Sequence, residues 1–586
     1  MDSDWGHLGA PVFFSLELSG DDTSTFCSPK RAAVTADLEP NSAGRSSDLL
    51  VAWRPGAAGT ALLVLAGWVV WRPVETFPAT AVLVATVVIA LTVWGWRHTP
   101  AATAGAWLTA VGAFCILLAS GLTGWDPAAS IIELALAAAI AAFIWLASRQ
   151  VPPDRWPALL ALVISGLALW GMWQVGGGLD HAAAALDQLP ESMRHAGAER
   201  LASGRAFASL LLPSHLAVLL ATALPLLLVR LRPRWIAAPW AVGSALCVIG
   251  LVLTRSPIGA ALGLSACIAL AAAKGRGRLV WVALVLAIVL AIVVVGRGDV
   301  MELEPVRLRL DNWQTALWVW STAPAAGVGI GGFAQAAQSV PFGVGNRPLH
   351  AHSLPLELLA ELGPAGLLMC FLAAIALWRL VRDLWPRRPD LAVAVMVIPL
   401  HNLVDFSFFH SAVALPWAVL VGWAIASRRG GGVRSESGSR GRVFLVLSAA
   451  LALALTVLHV TSQKVEESAA TRPTAEERMA AGKEAYRLAP WRLSPVGLVA
   501  RSAIESGDRL LIVAAAEKME SSRWLRPRSS SLALMRSQLA LALGEIPTGV
   551  SEAWSSRNHN PSSVSASEFA NDLFDRLDRG DDHASR

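Results

Sequence analysis

Residues 206–234, "AFASLLLPSHLAVLLATALPLLLVRLRPR", contain a long uncharged apolar run that ends in a cluster of arginines. The run covers residues 206–229, which as a helix would cross the roughly 30 Å of hydrocarbon in a bilayer. Arg230, Arg232 and Arg234 follow it directly. Because Lys and Arg collect in cytoplasmic loops, they place this end of the run in the cytoplasm. The stretch therefore predicts both a membrane-spanning helical fold and its orientation.

The composition of the whole chain extends this prediction. The 586 residues are 54% apolar and only 16% charged, and the mean hydropathy is +0.52. A soluble domain carries about 25% charged residues, so many segments are expected to lie in a lipid bilayer. The net charge of +5 is modest and its arginines sit mostly in short loops. The placement of the arginines in short loops indicates which loops are cytoplasmic. We expect no nucleic-acid partner.

Apolar runs of similar length recur along most of the chain. They predict an all-α polytopic membrane protein with about 13 transmembrane helices. The candidate spans are residues 56–72, 79–96, 102–123, 129–148, 156–176, 206–229, 235–253, 257–273, 279–296, 355–378, 391–409, 411–427 and 443–460.

Basic residues alternate between the connecting loops. The loops after even-numbered spans hold 18 Lys and Arg residues, whereas the short loops after spans 1, 3, 7 and 11 hold only Arg72 and Arg255. The even-numbered loops are therefore predicted to be cytoplasmic. This places the N-terminus inside and the C-terminal region outside the membrane.

The chain divides into four predicted parts. Residues 1–55 are polar and are expected to form a disordered cytoplasmic tail, followed by a transmembrane domain over 56–460. Residues 461–549 have helical periodicity, and residues 550–586, rich in Ser, Asp and Asn, are expected to be disordered. Within the transmembrane domain, the sequence predicts a large outer loop over residues 297–354.

The helical region after the last span shows a weak internal repeat. Pro490 and Pro527 lie 37 residues apart, as do Gly507 and Gly544. This resembles a degenerate pair of tetratricopeptide-like hairpins, whose usual period is about 34 residues. Two ordinary helical hairpins with coincident prolines remain an alternative. Either form is expected to dock on the membrane domain or on a partner protein.

Two other features do not indicate chemistry. The five cysteines form no Cys-x-x-Cys pair, so neither a disulfide nor a metal site is expected. The glycine-rich stretch "GVGIGGF" (327–333) has no preceding strand and no following Lys-Ser/Thr, so it is not predicted to bind a nucleotide. We expect no cofactor.

Ionisable residues collect near the predicted outer ends of the helices. They are Arg205, Arg255, Arg307, Arg309, Arg347, His350, His352, Glu357, Glu361, His401 and Asp405. A charge at the bilayer centre costs about 2.5–3.5 kcal/mol even on the lenient insertion scale, so retained charges usually line a cavity. Arginine binds phosphate oxygens with a planar fork, and a neutral histidine can accept a proton from a hydroxyl. The set predicts an outer cavity for an anion.

Simpler interpretations exist for each of these residues taken alone. The arginines could reach out to lipid headgroups, and a single loop histidine is more often without a catalytic role. Glu361 is expected to pair with an arginine, and Asp405 with His401 four residues earlier on the same helical face. The convergence of these residues, more than any one of them, favours a site.

Several stretches resemble one known family. "HAHSLPLELLAELGPAGLL" (350–368) looks like the hallmark of the O-antigen ligase and polymerase superfamily, in which a His-Asn or similar pair precedes a Leu-rich helix with Glu-x-Gly. "RLDNWQTALWVWSTAPAAGVGIGGF" (309–333), "LTRSPIGAALGL" (253–264) and "HNLVDFSF" (401–408) resemble further segments of that family, in its order. "GRAFASLLLPSHLA" (204–217) is a weaker match.

The resemblance, over roughly residues 200–426, implies a bacterial inner-membrane glycosyltransferase with a large periplasmic loop. Such enzymes move glycan from an undecaprenyl-diphosphate carrier to an acceptor glycolipid or glycan, without metal or nucleotide. Carried over by position, His352 would activate the acceptor hydroxyl, and Arg255 and Arg309 would hold the diphosphate. Glu361, Asp405, Arg205 and His350 are expected to be supporting groups. Ser353 stands where the family commonly has Asn.

The resemblance leaves the acceptor open, since ligases, polysaccharide polymerases and protein O-glycosyltransferases share these motifs. Two other classes of function compete with it. A solute transporter would carry polar groups through the whole depth of the membrane, but the predicted inner half has few. An assembly scaffold would use the C-terminal region to recruit protein partners.

Overall fold

The computed structural model of the protein consists of helices and connecting turns, with no strand in the residues that it describes. It describes residues 63–71, 124–148, 154–184, 201–210, 212–231, 237–273, 304–340, 348–428, 457–459, 461–469, 471–560 and 564–578, and a few isolated positions. The all-α class is confirmed for this part of the chain. The predicted spans 79–96, 102–123, 279–296 and 443–460 lie wholly or almost wholly outside it.

The apolar part of the chain contains both long and short helices, numbered here in chain order. They are α1 Pro127–Ser148, α2 Trp156–Ser165, α3 Leu167–Trp173, α4 Leu179–Ala184, α5 Pro213–Leu228, α6 Ala238–Thr254, α7 Pro257–Ala273, α8 Glu304–Thr322, α9 Phe333–Ala337, α10 Leu354–Leu362, α11 Pro364–Leu384, α12 Pro389–His401 and α13 Ser411–Arg428.

Four helical stretches within the described residues are long and apolar enough to cross a membrane. They are α1, the continuous stretch Trp156–His181, α11 and α13. Helices α5, α6, α7 and α12 are apolar but shorter. A membrane protein is therefore supported, while the total of about 13 spans stays a prediction.

Helix α5 is the centre of the bundle. Every residue from Pro213 to Leu227 is buried, and α2, α6, α7 and α12 pack around it. A helix that is apolar on all sides needs such complete cover. Small residues bring the backbones close: Gly259 of α7 faces Ala217, and Gly250 of α6 faces Leu220. This close packing through glycine and alanine is typical of helices in membranes.

The predicted span 355–378 is in fact two helices. Helix α10 ends at Gly363, which has a φ of +62°, and α11 begins at Pro364. A side chain at Gly363 would collide with the backbone of Ala325, so the break fits against the neighbouring loop. The apolar pattern ran through this break because both helices are rich in leucine. Of these two helices, it is α11 that exposes a broad apolar face, which includes Phe371 and Trp378.

The predicted outer loop 297–354 contains ordered helices. Helices α8 and α9 lie within it, joined by the glycine-rich stretch 327–333. Gly327, Gly329 and Gly331 all have positive φ, and the backbone of Gly329 approaches that of Gly124 so closely that no side chain would fit. The glycines therefore serve close packing of this stretch against α1 and α10.

The C-terminal region is a series of consecutive helical pairs with its own apolar core. The helices are α14 Ala475–Leu488, α15 Ser494–Ser506, α16 Arg509–Ser522, α17 Ser530–Ala542, α18 Ile546–His559 and α19 Val564–Asp578. Each helix packs on the next, and Met479, Val499 and Met519 lie in the core. The tetratricopeptide-like assignment stays a prediction.

The two last helices correct one expectation. Composition predicted disorder over residues 550–586, but α18 and α19 are helical as far as Asp578. Ala553, Ala570 and Leu573 form a small buried cluster between them, which a count of polar residues does not reveal. A narrow apolar stripe is enough to anchor an otherwise polar helix.

The C-terminal helices lie against the outer-loop segment of the membrane part. The Gln335 side chain donates a hydrogen bond to the carbonyl of Arg528 (2.8 Å), and the Ser339 hydroxyl donates to the carbonyl of His559 (3.0 Å). The Arg528 guanidinium stacks over the Trp125 ring at 3.7 Å. The expected docking of this region is therefore present within the chain itself.

Candidate functional site

Asp405 lies at the centre of the candidate site. Its side chain is only 1% exposed, and three cationic or basic groups surround it. Its carboxylate is 3.5 Å from the Arg309 guanidinium, 3.6 Å from Nε2 of His401 and 3.9 Å from Nδ1 of His352. A buried carboxylate needs such neighbours, because an unpaired charge in an apolar interior is very costly.

The segment that carries Asp405 differs from the predicted helix. Helix α12 ends at His401, so the argument that His401 and Asp405 share a helical face is wrong, although the two side chains do meet. Asn402 shapes the loop that follows: its amide donates to the Ser407 hydroxyl (2.9 Å), and its carbonyl oxygen accepts from the Phe408 amide (3.0 Å). This loop fixes the position of Asp405.

His352 occupies an unusual backbone conformation beside Asp405. Its φ is +53°, and its carbonyl accepts a hydrogen bond from the indole of Trp313 (3.2 Å). Its ring meets the edge of Phe406 at 4.5 Å and is 28% exposed. Nδ1 faces Asp405 at 3.9 Å, beyond hydrogen-bond distance.

His352 is neutral near physiological pH. Burial lowers its pKa to about 4; the charge of Asp405 opposes this shift, and the charge of Arg309 reinforces it. A neutral imidazole can accept a proton, whereas an imidazolium cannot. The site therefore holds a histidine in the state that a general base requires.

Two further arginines lie next to Arg309. Arg205 Nε donates to the carbonyl of Thr254 (2.9 Å), and Arg255 Nη1 donates to the carbonyl of Ser203 (3.3 Å). Burial lowers the pKa of Arg205, and the positive charges of Arg309 and Arg255 lower it further.

None of the carboxylates that the structure describes lies within 4.0 Å of Arg205 or Arg255. Backbone carbonyls orient these two guanidinium groups but do not neutralise them. Their charge is therefore available to an anion, for which the planar fork of arginine is suited.

The supporting residues take different positions from those expected. Glu361 is fully buried, and it accepts a hydrogen bond from the Phe333 amide (3.3 Å) instead of pairing with an arginine. It thereby ties α10 to the glycine-rich stretch. His350 is held by Glu357 at 2.7 Å and stacks between Phe406 and Phe409. Arg307 is exposed on α8, and Arg347 lies outside the described residues.

Two residues of the site were not found from the sequence. Phe406 contacts the rings of His215, His350 and His352. Gln174 bonds to both the amide (2.7 Å) and the carbonyl (3.0 Å) of Ala208, which holds the loop that carries Arg205. A buried glutamine inside an apolar run was the one available signal for Gln174.

The described side chains do not form a metal site. No group of three or more His, Cys, Asp and Glu side chains within the described ranges has the arrangement needed to hold a metal ion. The chemistry available to these residues is proton transfer by His352 and stabilisation of an anion by the arginines.

Comparison with known proteins agrees with these motifs. Residues 241–372 match the model of the O-antigen ligase family, so the predicted superfamily resemblance is confirmed there. The matched segment contains Arg255, Arg309 and His352, whereas Arg205 and Asp405 lie outside it. A search of curated proteins found no match. This part of the chain thus resembles the O-antigen ligase family.

Proposed function

We propose that the protein is a glycosyltransferase of the bacterial inner membrane. It moves glycan from a polyprenyl-diphosphate carrier to an acceptor hydroxyl at the outer face, as an O-antigen ligase does. The observation that best supports this proposal is the pair Arg205 and Arg255, which no described carboxylate neutralises, together with Arg309 and the neutral His352. The N-terminus is then cytoplasmic, and the C-terminal helices are periplasmic.

The donor binds through its diphosphate. Arg255 and Arg205 supply charge that no described carboxylate neutralises, and Arg309 adds a third guanidinium next to Asp405. Breaking the sugar–phosphate bond increases negative charge on the diphosphate oxygens. Guanidinium groups already held in place therefore stabilise the transition state more than the bound substrate.

His352 starts the transfer by taking a proton. Nε2 accepts the proton of the acceptor hydroxyl as that oxygen forms a bond to the anomeric carbon. The bond between the anomeric carbon and the phosphate oxygen breaks, and its electron pair leaves with the polyprenyl diphosphate. Asp405 stabilises the resulting imidazolium from 3.9 Å. The step requires neither a nucleotide nor a metal ion.

The apolar surroundings suit a lipid carrier and a membrane acceptor. Helix α11, which follows α10, has Leu368, Phe371 and Leu372 exposed on its surface. A polyprenyl chain can lie along such a face while its diphosphate reaches the arginines. The acceptor is a glycolipid or a growing glycan; a polymerase or a protein O-glycosyltransferase would use the same donor site with another acceptor.

Replacing His352 tests the proposal directly. His352→Ala should reduce glycan transfer by about 10²–10⁴-fold, the usual contribution of a general base. The assay follows transfer of labelled glycan from a polyprenyl-diphosphate donor, and release of the polyprenyl diphosphate, in membranes that contain equal amounts of protein.

His181→Ala is the matched control, because His181 is an exposed histidine of α4 whose ring bonds to the Gly177 carbonyl, its one polar contact among the described residues. It should retain full transfer. Unchanged transfer in His352→Ala would exclude the proposed chemistry and leave a transporter or a scaffold as the better explanation.

A further inference from the structure

The backbone around His352 is strained. Three residues other than glycine have positive φ in the described ranges: Ala208, Arg255 and His352. For such a residue this conformation is strained and persists only where the surroundings impose it. Neighbouring groups other than the imidazole itself must therefore hold residue 352 in place.

The carboxylate of Glu357 provides that restraint. One oxygen, Oε1, lies 2.7 Å from Nδ1 of His350, and the other, Oε2, accepts a hydrogen bond from the Ala351 amide at 3.1 Å. Glu357 is buried in the first turn of α10, and its own amide donates to the Ser353 carbonyl (2.9 Å). Residues 350 to 353 are thus bonded at three points to one residue, Glu357.

Other contacts fix the remaining sides of this turn. The Trp313 indole binds the His352 carbonyl, and the Leu354 amide donates to the Asn402 carbonyl at 2.8 Å. The ring of His350 stacks between Phe406 and Phe409. The amide of Ala351 is the point that only Glu357 secures, and it directly precedes His352.

We propose that Glu357, acting with His350, is the positioning residue of the site. By binding the His350 ring and the Ala351 amide together, it imposes the left-handed turn that directs the His352 imidazole toward Asp405. This inference rests on the proposed function, in which His352 is the base. Glu357 itself does not touch the reacting atoms.

The electrostatics of His350 support a link beyond simple packing. Burial would lower the pKa of His350, but the adjacent charge of Glu357 outweighs it and raises the pKa; Glu133 and Asp405 face the same ring and act in the same direction. A charged His350 in turn lowers the pKa of its neighbour His352. Glu357 therefore influences both the position and the protonation of the base.

Other groups act on His352 from neighbouring elements. Asp405 opposes the depression of its pKa, while Arg309 and His401 add to it. These three residues stay unchanged when Glu357 is replaced. A shift in the pH profile of a Glu357 variant would then report the loss of the charged His350.

Two substitutions separate the parts of this role. Glu357→Ala removes both acceptors, and kcat should fall by about 100-fold, as expected for a misplaced catalytic group. The KM for the polyprenyl-diphosphate donor should stay unchanged, because the arginines are intact. Glu357→Gln keeps one acceptor for the Ala351 amide, so its kcat should lie between those of Glu357→Ala and the native protein.

The pH profile gives the readout that a merely structural role would not move. In Glu357→Gln, His350 loses the anionic charge that raises its pKa, so less positive charge acts on His352 and the acid limb of kcat should shift to higher pH. Asp390→Asn is the matched control, because Asp390 is a similarly buried carboxylate that pairs with Arg388 at the opposite end of α12. It should leave the activity per folded protein and the pH profile unchanged.

The outcomes distinguish this inference from the function on which it rests. If His352→Ala abolishes transfer while Glu357→Ala keeps the native kcat and pH profile, the positioning role is wrong and the function stands. If His352→Ala transfers normally, the function itself is wrong. A Glu357→Ala variant that loses only folded protein, with native kcat in the remainder, also excludes the positioning role.

Discussion

The arginines at the two ends of α12 are stabilised in different ways. At its N-terminal end, Arg388 is 16% exposed and binds the Asp390 carboxylate through two nitrogens, at 3.2 and 3.1 Å, with Asp154 at 3.3 Å. Near its C-terminal end, Arg205 and Arg255 bind only backbone carbonyls among the described residues. The two ends lie about 20 Å apart along the helix.

This difference separates a structural arginine from one that can bind substrate. The paired carboxylates neutralise Arg388, so little of its field reaches an incoming anion. Carbonyl groups orient Arg205 and Arg255 but leave their full charge. Arg309 is intermediate, because one carboxylate at 3.5 Å is shared with two histidines. Whether an arginine binds a carboxylate or a backbone carbonyl therefore indicates whether its role is structural or in substrate binding.

A third kind of partner occurs where the C-terminal helices meet the membrane part. The Arg528 guanidinium lies 3.7 Å above the Trp125 ring, and Arg526 lies 3.7 Å from Asp126. These contacts join two regions of the chain. We therefore expect Arg528 to contribute to docking alone.

Within this comparison, the largest expected loss of glycan transfer comes from removing one guanidinium group that no described carboxylate neutralises. Arg255→Ala should lower kcat for glycan transfer by about 10²–10³-fold, as the loss of one group that stabilises developing charge usually does. The kcat of Arg255→Lys should lie between those of Arg255→Ala and the native protein, because lysine keeps the positive charge but lacks the planar fork. Transfer from a polyprenyl-diphosphate donor is the measurement.

Arg388→Ala is the matched variant at the other end of α12. It leaves Asp390 buried without its arginine partner, so the free energy of unfolding should fall by about 3–5 kcal/mol, while the activity per folded protein is retained. The comparison between the two ends fails if Arg388→Ala lowers kcat as much as Arg255→Ala does.

The pH dependence of transfer provides a second, smaller effect. Because the pKa of His352 is lowered to about 4, the imidazole stays neutral from neutral pH down to that value and becomes protonated below it. Activity should therefore persist through pH 6.5, the ordinary pKa of histidine, and fall about tenfold per pH unit only below roughly pH 4. An acid limb centred near 6.5 would show that His352 is not buried as described.

The smallest effect is expected at the docking contact. Arg528→Ala removes the stacking on Trp125, a contact worth about 0.5–2 kcal/mol. The C-terminal helices should become more sensitive to limited proteolysis, with little change in kcat. Arg523→Ala, which removes an exposed arginine bound only to Glu520 of α16, is the control and should leave proteolysis unchanged. A large loss of transfer in Arg528→Ala would give the C-terminal helices a role in the site.

Periodicity and charge predicted some elements closely. The apolar run 257–273 coincides with α7, and the predicted span 411–427 differs from α13 by one residue at its end. Such spans are readable because every backbone polar group in lipid must be bonded within the helix, so the apolar run and the helix share their limits. The choice of His352, Arg255 and Arg309 likewise came from motifs that lie in order along the chain.

Other elements could not be read in the same way. The break at Gly363 depends on the approach of Ala325, and the end of α12 at His401 depends on the hydrogen bonds of Asn402. Glu361 was expected to meet an arginine, but its partner is the Phe333 amide. The break at Gly363 and the partner of Glu361 are set by neighbours that are distant in sequence, which local patterns do not report.

The sequence by itself determined the helical class, the membrane-spanning character and the residue types that the chemistry needs, because each follows from composition or from spacing along one segment. Only the tertiary structure decided which arginine charges are neutralised by a neighbouring carboxylate and which are not. That decision depends on contacts such as Arg388 with Asp154 and Arg309 with Asp405, between residues far apart in the chain. Electrostatic roles follow from distance in space, and the fold alone sets that distance.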